Sequence, residues 1–334
     1  MLRKIGGAMK LLVTGGAGFI GSFLCRELLQ RGHEVYVLDD LSTGSLDNLV
    51  EIHENPGFHF IKSSVLKRSP LLDLVATCEI VVHLAAAVGV RLIVEKPLES
   101  LHTNIRGTEL VLELANRFRK KVFVASTSEV YGRNSKVPLS EDDNRIYGST
   151  TIARWSYAGS KALDEFFALA YARTSRLPVI IGRFFNTVGP RQTGRYGMVI
   201  PRFVRQALAG EPLTVYGDGT QTRSFTFVGD VVRAVADLLF EPRAEGNVFN
   251  IGGEQEISIR ELAERVKQLS GSSSEICIVP YDQAYEEGFE DMQRRVPDLT
   301  KLKALIGYRN TLSLDDILMR VIEHERNRPL RPTW

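Results

Sequence analysis

The 334-residue chain has little cysteine: three, at Cys25, Cys78 and Cys277, far apart. An odd number at such distances gives neither a disulfide framework nor a metal-ligand cluster, so no metal is expected. Isolated thiols fit a reducing cytosol. Charge of one sign is also lacking, since 42 Lys and Arg against 40 Asp and Glu leave a net charge of +2. A nucleic-acid partner, which needs a basic stripe or patch, is therefore not expected. No apolar run approaches the ~20 residues needed to cross a bilayer, so no membrane partner is expected either. Met1-Leu2-Arg3-Lys4 has the charge of a signal peptide's first region, but the apolar stretch behind it is broken by Gly6-Gly7. The expectation is an unstructured leader with Met9 as a candidate start, on a soluble cytoplasmic protein. What remains is ordinary: 44% hydrophobic and 25% charged residues, which excludes wholesale disorder. At roughly 100–200 residues per domain, the length admits one large domain or two modest ones.

Strand and helix patterns alternate from the first apolar run. Short β-branched runs lie at 10–14, 34–38, 58–61, 80–84, 122–125 and 179–181. Helical spacing fills 19–30, 97–118 and 156–174. Strands alternating with helices of that length argue an α/β protein with a doubly wound parallel sheet covered on both faces. The crossovers are expected to be right-handed. After about Asn186 the alternation weakens, and Gly- and Pro-rich loops separate helices at 200–209, 231–240, 259–269 and 314–323. This divides the chain into a domain over 9–185 and a smaller C-terminal α/β lobe over 186–330, interleaved with the last strands of the sheet.

The first loop carries the earliest functional signal. Thr14-Gly15-Gly16-Ala17-Gly18-Phe19-Ile20-Gly21 sets glycines at 15, 18 and 21 between a strand and a helix. Gly15 permits the tight turn, Gly18 lets backbone approach a pyrophosphate, and Gly21 lets helix and strand pack closely. The helix N-terminus, with Phe19 and Ile20, offers unpaired N–H groups to the anion. Asp39 follows 18 residues after Gly21 at the end of the next strand, where an acid can hold ribose hydroxyls. Together these read as a Rossmann-type NAD-binding domain. With Asp40 beside Asp39 and no adjacent Arg, a 2′-phosphate would meet negative charge, so NAD is expected over NADP.

Tyr157-Ala158-Gly159-Ser160-Lys161 opens a helix, with Tyr157 and Lys161 one turn apart on one face. A phenol ionises near ~10, and a neighbouring ammonium would stabilise its phenolate as a base. Ser126-Thr127-Ser128-Glu129-Val130-Tyr131-Gly132 follows the 122–125 strand. The GxxGxxG loop, this hydroxyl segment and the Tyr/Lys pair together resemble the short-chain dehydrogenase/reductase superfamily. The resemblance implies that Thr127 hydrogen-bonds the substrate oxygen opposite Tyr157. It also implies that Asn104 is the family's helix-kink asparagine.

Residues 10 to about 326 resemble the extended branch of that superfamily, the nucleotide-sugar epimerases, dehydratases and decarboxylases. Arg183-Phe184-Phe185-Asn186-Thr187-Val188-Gly189-Pro190-Arg191 is similar to their Arg-x-x-Asn-x-x-Gly-Pro segment, implying substrate contacts from Asn186 and Arg191. Leu213-Thr214-Val215-Tyr216-Gly217-Asp218-Gly219, followed by Gln221-Thr222-Arg223, resembles the nucleotide-binding lobe, with Arg223 on the diphosphate. A forked guanidinium suits phosphate oxygens better than a lysine. Asn250-Ile251-Gly252-Gly253 resembles the returning strand of that lobe. The segment Ser63-Ser64-Val65 departs from relatives that place an Asp near the adenine.

The branch shares a first step, in which Tyr157 takes the proton of the sugar 4-hydroxyl as NAD oxidises C4. Dehydratases carry Thr-Asp-Glu where this chain has Thr127-Ser128-Glu129, and a serine cannot replace a carboxylic acid as proton donor. Thr-Ser-Glu-Val-Tyr-Gly resembles UDP-glucuronate decarboxylases. So does the segment from Tyr285 to Asp298, in which Arg295 aligns with an arginine near the substrate carboxylate. The implied catalytic set is Thr127, Tyr157, Lys161, Glu129 and Arg295, with Ser128 on the substrate. The implied reaction is UDP-glucuronate decarboxylation to UDP-xylose or the 4-keto pentose. The Tyr-Ala-Gly-Ser-Lys motif departs from the Tyr-Asp-x-Gly-Lys of many such enzymes, and a UDP-glucuronate or UDP-glucose 4-epimerase is the alternative. A 4,6-dehydratase and a redox-silent NAD-binding scaffold rank lower. The branch pairs helices 97–118 and 156–174 between subunits, implying a homodimer.

Overall fold

β-Branched runs flanked by turn residues become the strands of the sheet. They are β1 (Lys10–Thr14), β2 (Glu34–Asp39), β3 (Phe58–Lys62), β4 (Ile80–His83), β5 (Lys121–Thr127) and β6 (Val179–Phe184). The computed structural model describes residues 7–88, 96–194, 198–280, 283 and 292–327. Six of the expected leader's residues therefore lie outside the described ones. The central strands are buried on both faces: β4 and the core of β6 expose nothing, as parallel strands sandwiched between helices require.

A seventh strand, Asn247–Ile251, completes the sheet beside β6, and every pairing is parallel. The lobe's strands intervene in sequence: β7 (Thr187–Val188), β8 (Leu213–Tyr216), β9 (Thr222–Ser224) and β10 (Thr226–Phe227). The seventh sheet strand is thus β11, and the order is β11-β6-β5-β4-β1-β2-β3. The order reverses between β1 and β4, so the crevice at their C-terminal ends is the switch point where doubly wound sheets bind ligands.

One face of the sheet is covered by α1 (Phe19–Gln30) and the other by α2 (Arg68–Thr77). The expected 97–118 helix is interrupted: α3 (Pro97–Leu101) and α4 (Gly107–Phe118) flank a π-helical turn at His102–Arg106. Such turns recur at functional sites. Asn104, inside this turn and buried, accepts from Ala87 N at 2.8 Å and donates to Ser160 Oγ at 3.4 Å. It pins the β4 exit loop to α5 (Trp155–Ser175).

The lobe has its own core, built by α6 (Val199–Ala209), α8 (Ile259–Ser270) and α10 (Leu314–Arg326) around β8. Ser258 and Ser313 begin the last two helices with capping boxes to Glu261 and Asp316. Short strands β12 (Glu256–Ser258) and β13 (Ile276–Val279) pair with β9 and β8.

One expectation is corrected. Asn250 and Ile251 belong to the main sheet as part of β11, not to a returning strand of the lobe. The helix between the two lobes, α7 (Val228–Leu239), packs with α1 in the sheet's core, as does Leu302 of α9 (Thr300–Ile306). The C-terminal half therefore re-enters the first body well after residue 185.

Candidate active site

The glycine loop lies at the switch point. Gly15 has φ +74°, and a Cβ there would stand 2.7 Å from Ala85 N, so the loop and the β4 exit pass backbone to backbone. At Gly21 a Cβ would meet Gly15 O at 2.2 Å, so the helix is held against its own loop by the missing side chain. Phe19, Ile20 and Gly21, the first residues of α1, line a cavity of ≈830 Å³ with Gly15 and Gly18. No acidic residue stands in that first turn, which leaves the positive end of the helix to an anion. Asp39, buried at the end of β2, accepts from Ala17 N at 3.0 Å and Leu41 N at 2.8 Å and lines the same cavity. Burial lifts its carboxyl above the ordinary range, against the pull of those two donors. Ser63 and Ser64 line it as well. A cradle that side chains would fill, a helix N-terminus and a carboxylate fit a dinucleotide.

Across the cavity, Thr127 ends β5 and Tyr157 and Lys161 face it from α5. Thr127 hydrogen-bonds Tyr157 and accepts from Glu129 N at 3.3 Å. The sequence suggests a phenolate held by Lys161. Burial drives the Tyr157 hydroxyl well above the ordinary phenol range, Glu129 and Asp164 push the same way, and Thr127 and Arg295 oppose them. Lys161 donates to Asp164 Oδ2 at 2.8 Å, so its charge already has a buried partner.

The helix carrying this pair is locked to the sheet. Glu165 takes two hydrogen bonds from the buried Arg183 of β6, both 2.8 Å, one from Ser126 at 2.5 Å and one from Arg145 at 2.7 Å. Arg183 also donates to the Tyr131 hydroxyl at 2.8 Å, which donates on to Asn250 Oδ1 at 2.7 Å. Burial alone would raise the Glu165 carboxyl, yet Arg183 holds it below the ordinary range.

Beyond Tyr157 the cavity becomes ionic. Glu129, in the 3-10 turn Ser128–Tyr131, lies 3.6 Å from Arg295 Nη1 and 3.9 Å from Arg154 Nη2. Both arginines are buried and line the cavity with Ser128. Arg154 was not among the expected residues, although it precedes Tyr157 and Lys161 at helical spacing on their face. Asn186 and Arg223 line the lobe's wall; Asn186 donates to Ser224 O at 2.9 Å and Arg223 to Thr222 O at 2.7 Å. Arg202, also unforeseen, sits 3.9 Å over the Tyr216 ring on the same wall.

Arg191 is the expected site residue that the structure places elsewhere. It is not a cavity residue: it donates to Asn48 O at 2.9 Å and Glu51 at 2.5 Å and lies over the Phe23 ring. The upstream part of the Arg295 motif, residues 285–291, lies outside the described residues. No group of three metal-ligating side chains occurs among the described residues. No helix among them is long and apolar enough to cross a membrane.

A short-chain dehydrogenase/reductase of the extended, nucleotide-sugar branch is the class that this fold and the pair over its switch point define. The chain belongs to the family described as GDP-mannose 4,6 dehydratase, whose model matches residues 12–321. It is 45% identical over 315 residues to the UDP-N-acetyl-alpha-D-glucosaminuronate decarboxylase of Bacillus cytotoxicus, covering 94% of this chain and 97% of that protein. Identity to UDP-glucuronic acid decarboxylase 1 of Arabidopsis thaliana is 36%, over 96% of this chain and 71% of that one. Among solved structures, UDP-glucuronic acid 4-epimerase from Bacillus cereus, in complex with UDP-glucuronic acid and NAD, matches with a TM-score of 0.86. It is 32% identical and covers 95% of this chain and 99% of its own.

Proposed function

We propose that this chain is an NAD-dependent decarboxylase of a UDP-linked hexuronate, acting through a 4-keto sugar. One observation carries the reading: two buried guanidiniums, Arg154 and Arg295, converge on Glu129 beside Tyr157. A neutral hexose gives such forks no carboxylate to hold, whereas a uronate does. The decarboxylases similar to this chain support the choice of reaction, and their names supply UDP-glucuronate and its 2-acetamido counterpart as the substrates to compare.

Gly15, Gly18, Phe19, Ile20, Gly21 and Asp39 would hold the NAD. When bound, NAD⁺ supplies a reversible two-electron oxidation of the sugar at C4. Tyr157 accepts the proton of the 4-hydroxyl while Thr127 holds the oxygen in place. A ketone at C4 makes the C6 carboxylate that of a β-keto acid, so the C5–C6 bond breaks and its electron pair moves onto the C4 oxygen. Arg154 and Arg295 orient the carboxylate, and Arg295 stabilises the developing charge. Glu129 handles the proton at C5, and Tyr157 returns its proton to the C4 oxygen when the ketone is reduced. Asn186, Ser128 and Arg223 bind sugar and diphosphate.

Incubation with UDP-glucuronate and UDP-N-acetylglucosaminuronate, followed by product mass, decides the reaction. Loss of CO₂ is expected. An isomer of unchanged mass would make the chain a 4-epimerase, the reading favoured by the epimerase structure. No turnover of either would leave a scaffold. We further read the chain as a cytoplasmic homodimer: the thiols are unpaired, and Leu163 and Phe166 are exposed on α5.

A further inference from the structure

We propose that Asp164 sets the pH range of catalysis: as the buried counter-ion of Lys161, it cancels the ammonium's pull on Tyr157. The inference rests on the reading of Tyr157 as the base. Lys161 Nζ and Asp164 Oδ2 are 2.8 Å apart, with side chains 4% and 0% exposed. Lys161 lines the cavity but Asp164 does not, so the carboxylate reaches the chemistry only through its neighbours.

Behind Asp164 runs a chain of polar groups. Burial raises the Asp164 carboxyl above its ordinary range, against Lys161 and the Thr108 hydroxyl, which favour its charged form; Thr108 Oγ1 is 3.1 Å from His83 Nε2. His83 Nδ1 is 2.8 Å from Thr14 Oγ1, which accepts from Ala85 N at 3.3 Å. Protons can be placed along this chain in one consistent direction. With Asp164 ionised, Thr108 donates toward it and accepts from His83 Nε2–H, leaving Nδ1 bare for the Thr14 hydroxyl. The tautomer is assigned from these partners. The catalytic lysine is thereby tied to the strand that ends in the glycine loop.

The other groups around Tyr157 are few. Glu129 comes from the 3-10 turn, Arg295 from the segment after 291, and Arg154 from the start of α5. His83, from β4, contributes no charge near neutrality, because burial and Lys161 hold its pKa at about 3. Glu165 is turned to Arg183 and Arg145. A carboxylate near a buried phenol disfavours the phenolate, so removing Asp164 frees the ammonium to favour it.

The test compares the wild type with Asp164→Asn, both loaded with NAD. In the variant, the acid limb of the kcat/KM profile is expected to move at least one pH unit lower, a tenfold gain on that limb. Tyrosinate absorbance, taken as the difference from Tyr157→Phe carrying the same residue at 164, should show Tyr157 ionising at correspondingly lower pH. Asp164→Glu should return both toward wild type. An unmoved limb and titration, or a move to higher pH, would overturn the proposal. Should Asp164→Asn fail to fold, Thr108→Val is read the same way, with a smaller shift in the same direction expected. If neither uronate is turned over, the proposed reaction fails, while the absorbance titration still decides Asp164.

Discussion

In the proposed reaction Tyr157 moves a proton and Arg154 holds a charge, so their variants should fail differently. Tyr157→Phe keeps the ring and removes the proton carrier, so turnover should fall about 10²–10⁴-fold with substrate binding retained. Isothermal titration with the uronate beside the rate assay checks both halves. Arg154→Gln removes a charge-assisted hydrogen bond worth about 1.5–3 kcal/mol, so KM for the uronate should rise by about one to two orders of magnitude. An unchanged KM would remove Arg154 from substrate binding. At this scale, spacing made much legible: Tyr157 and Lys161 lie one turn apart, and the Thr127 segment follows a strand. Arg154 was equally visible at helical spacing, but only burial shows it facing the cavity. Asp164 and His83 become meaningful once four separate segments are brought together, which no local pattern encodes. Arg191 illustrates the converse, since its motif matched while its guanidinium turned to Glu51.

At the scale of elements, α5 is fastened to β5 and β6 through Glu165. Breaking a buried pair strands the remaining charge, so Glu165→Gln should cost about 3–5 kcal/mol and lower Tm. Acid should act in the same sense. The Glu165 carboxyl is held below its ordinary value of 4.5, so its contribution is present above that pH and lost as pH falls through the lower folded value. His83 begins earlier: its folded pKa of about 3 lies below the ordinary 6.5, so the unfolded chain gains a proton first. Stability should fall by about 1.4 kcal/mol per unit as pH drops below 6.5, a slope that His83→Gln should flatten in denaturant titrations at successive pH values. The strands were legible because β-branched runs between turn residues have few alternatives. The π turn at His102–Arg106 was legible only through the resemblance, which marks Asn104 as a helix-kink residue; apolar spacing alone runs through it, and the interruption is set by Asn104 reaching Ala87. Helix α2 escaped because its apolar face is short, and β11 because a buried edge strand reads the same in either lobe.

For the whole molecule, two bodies share one cavity, with the dinucleotide fit on the sheet and Asn186 and Arg223 on the lobe. Phe166 is 59% exposed on α5, an apolar cost that subunit pairing would relieve. Phe166→Asp is therefore expected to shift the mass measured by light scattering from dimer to monomer; a monomeric wild type would refute the pairing. The alternation of strands and helices revealed the sheet, but the interleaving of the bodies was only partly visible. It depends on Asn247–Ile251 pairing with β6, more than sixty residues back along the chain. That return has a consequence for biosynthesis. A ribosome must release Ile251 before the outer edge of β6 is covered, so an emerging chain holds an unpaired β-edge while residues 185–246 are made. Nascent chains halted before residue 247 should accordingly recruit chaperones and resist folding, while those released past α10 should acquire protease resistance.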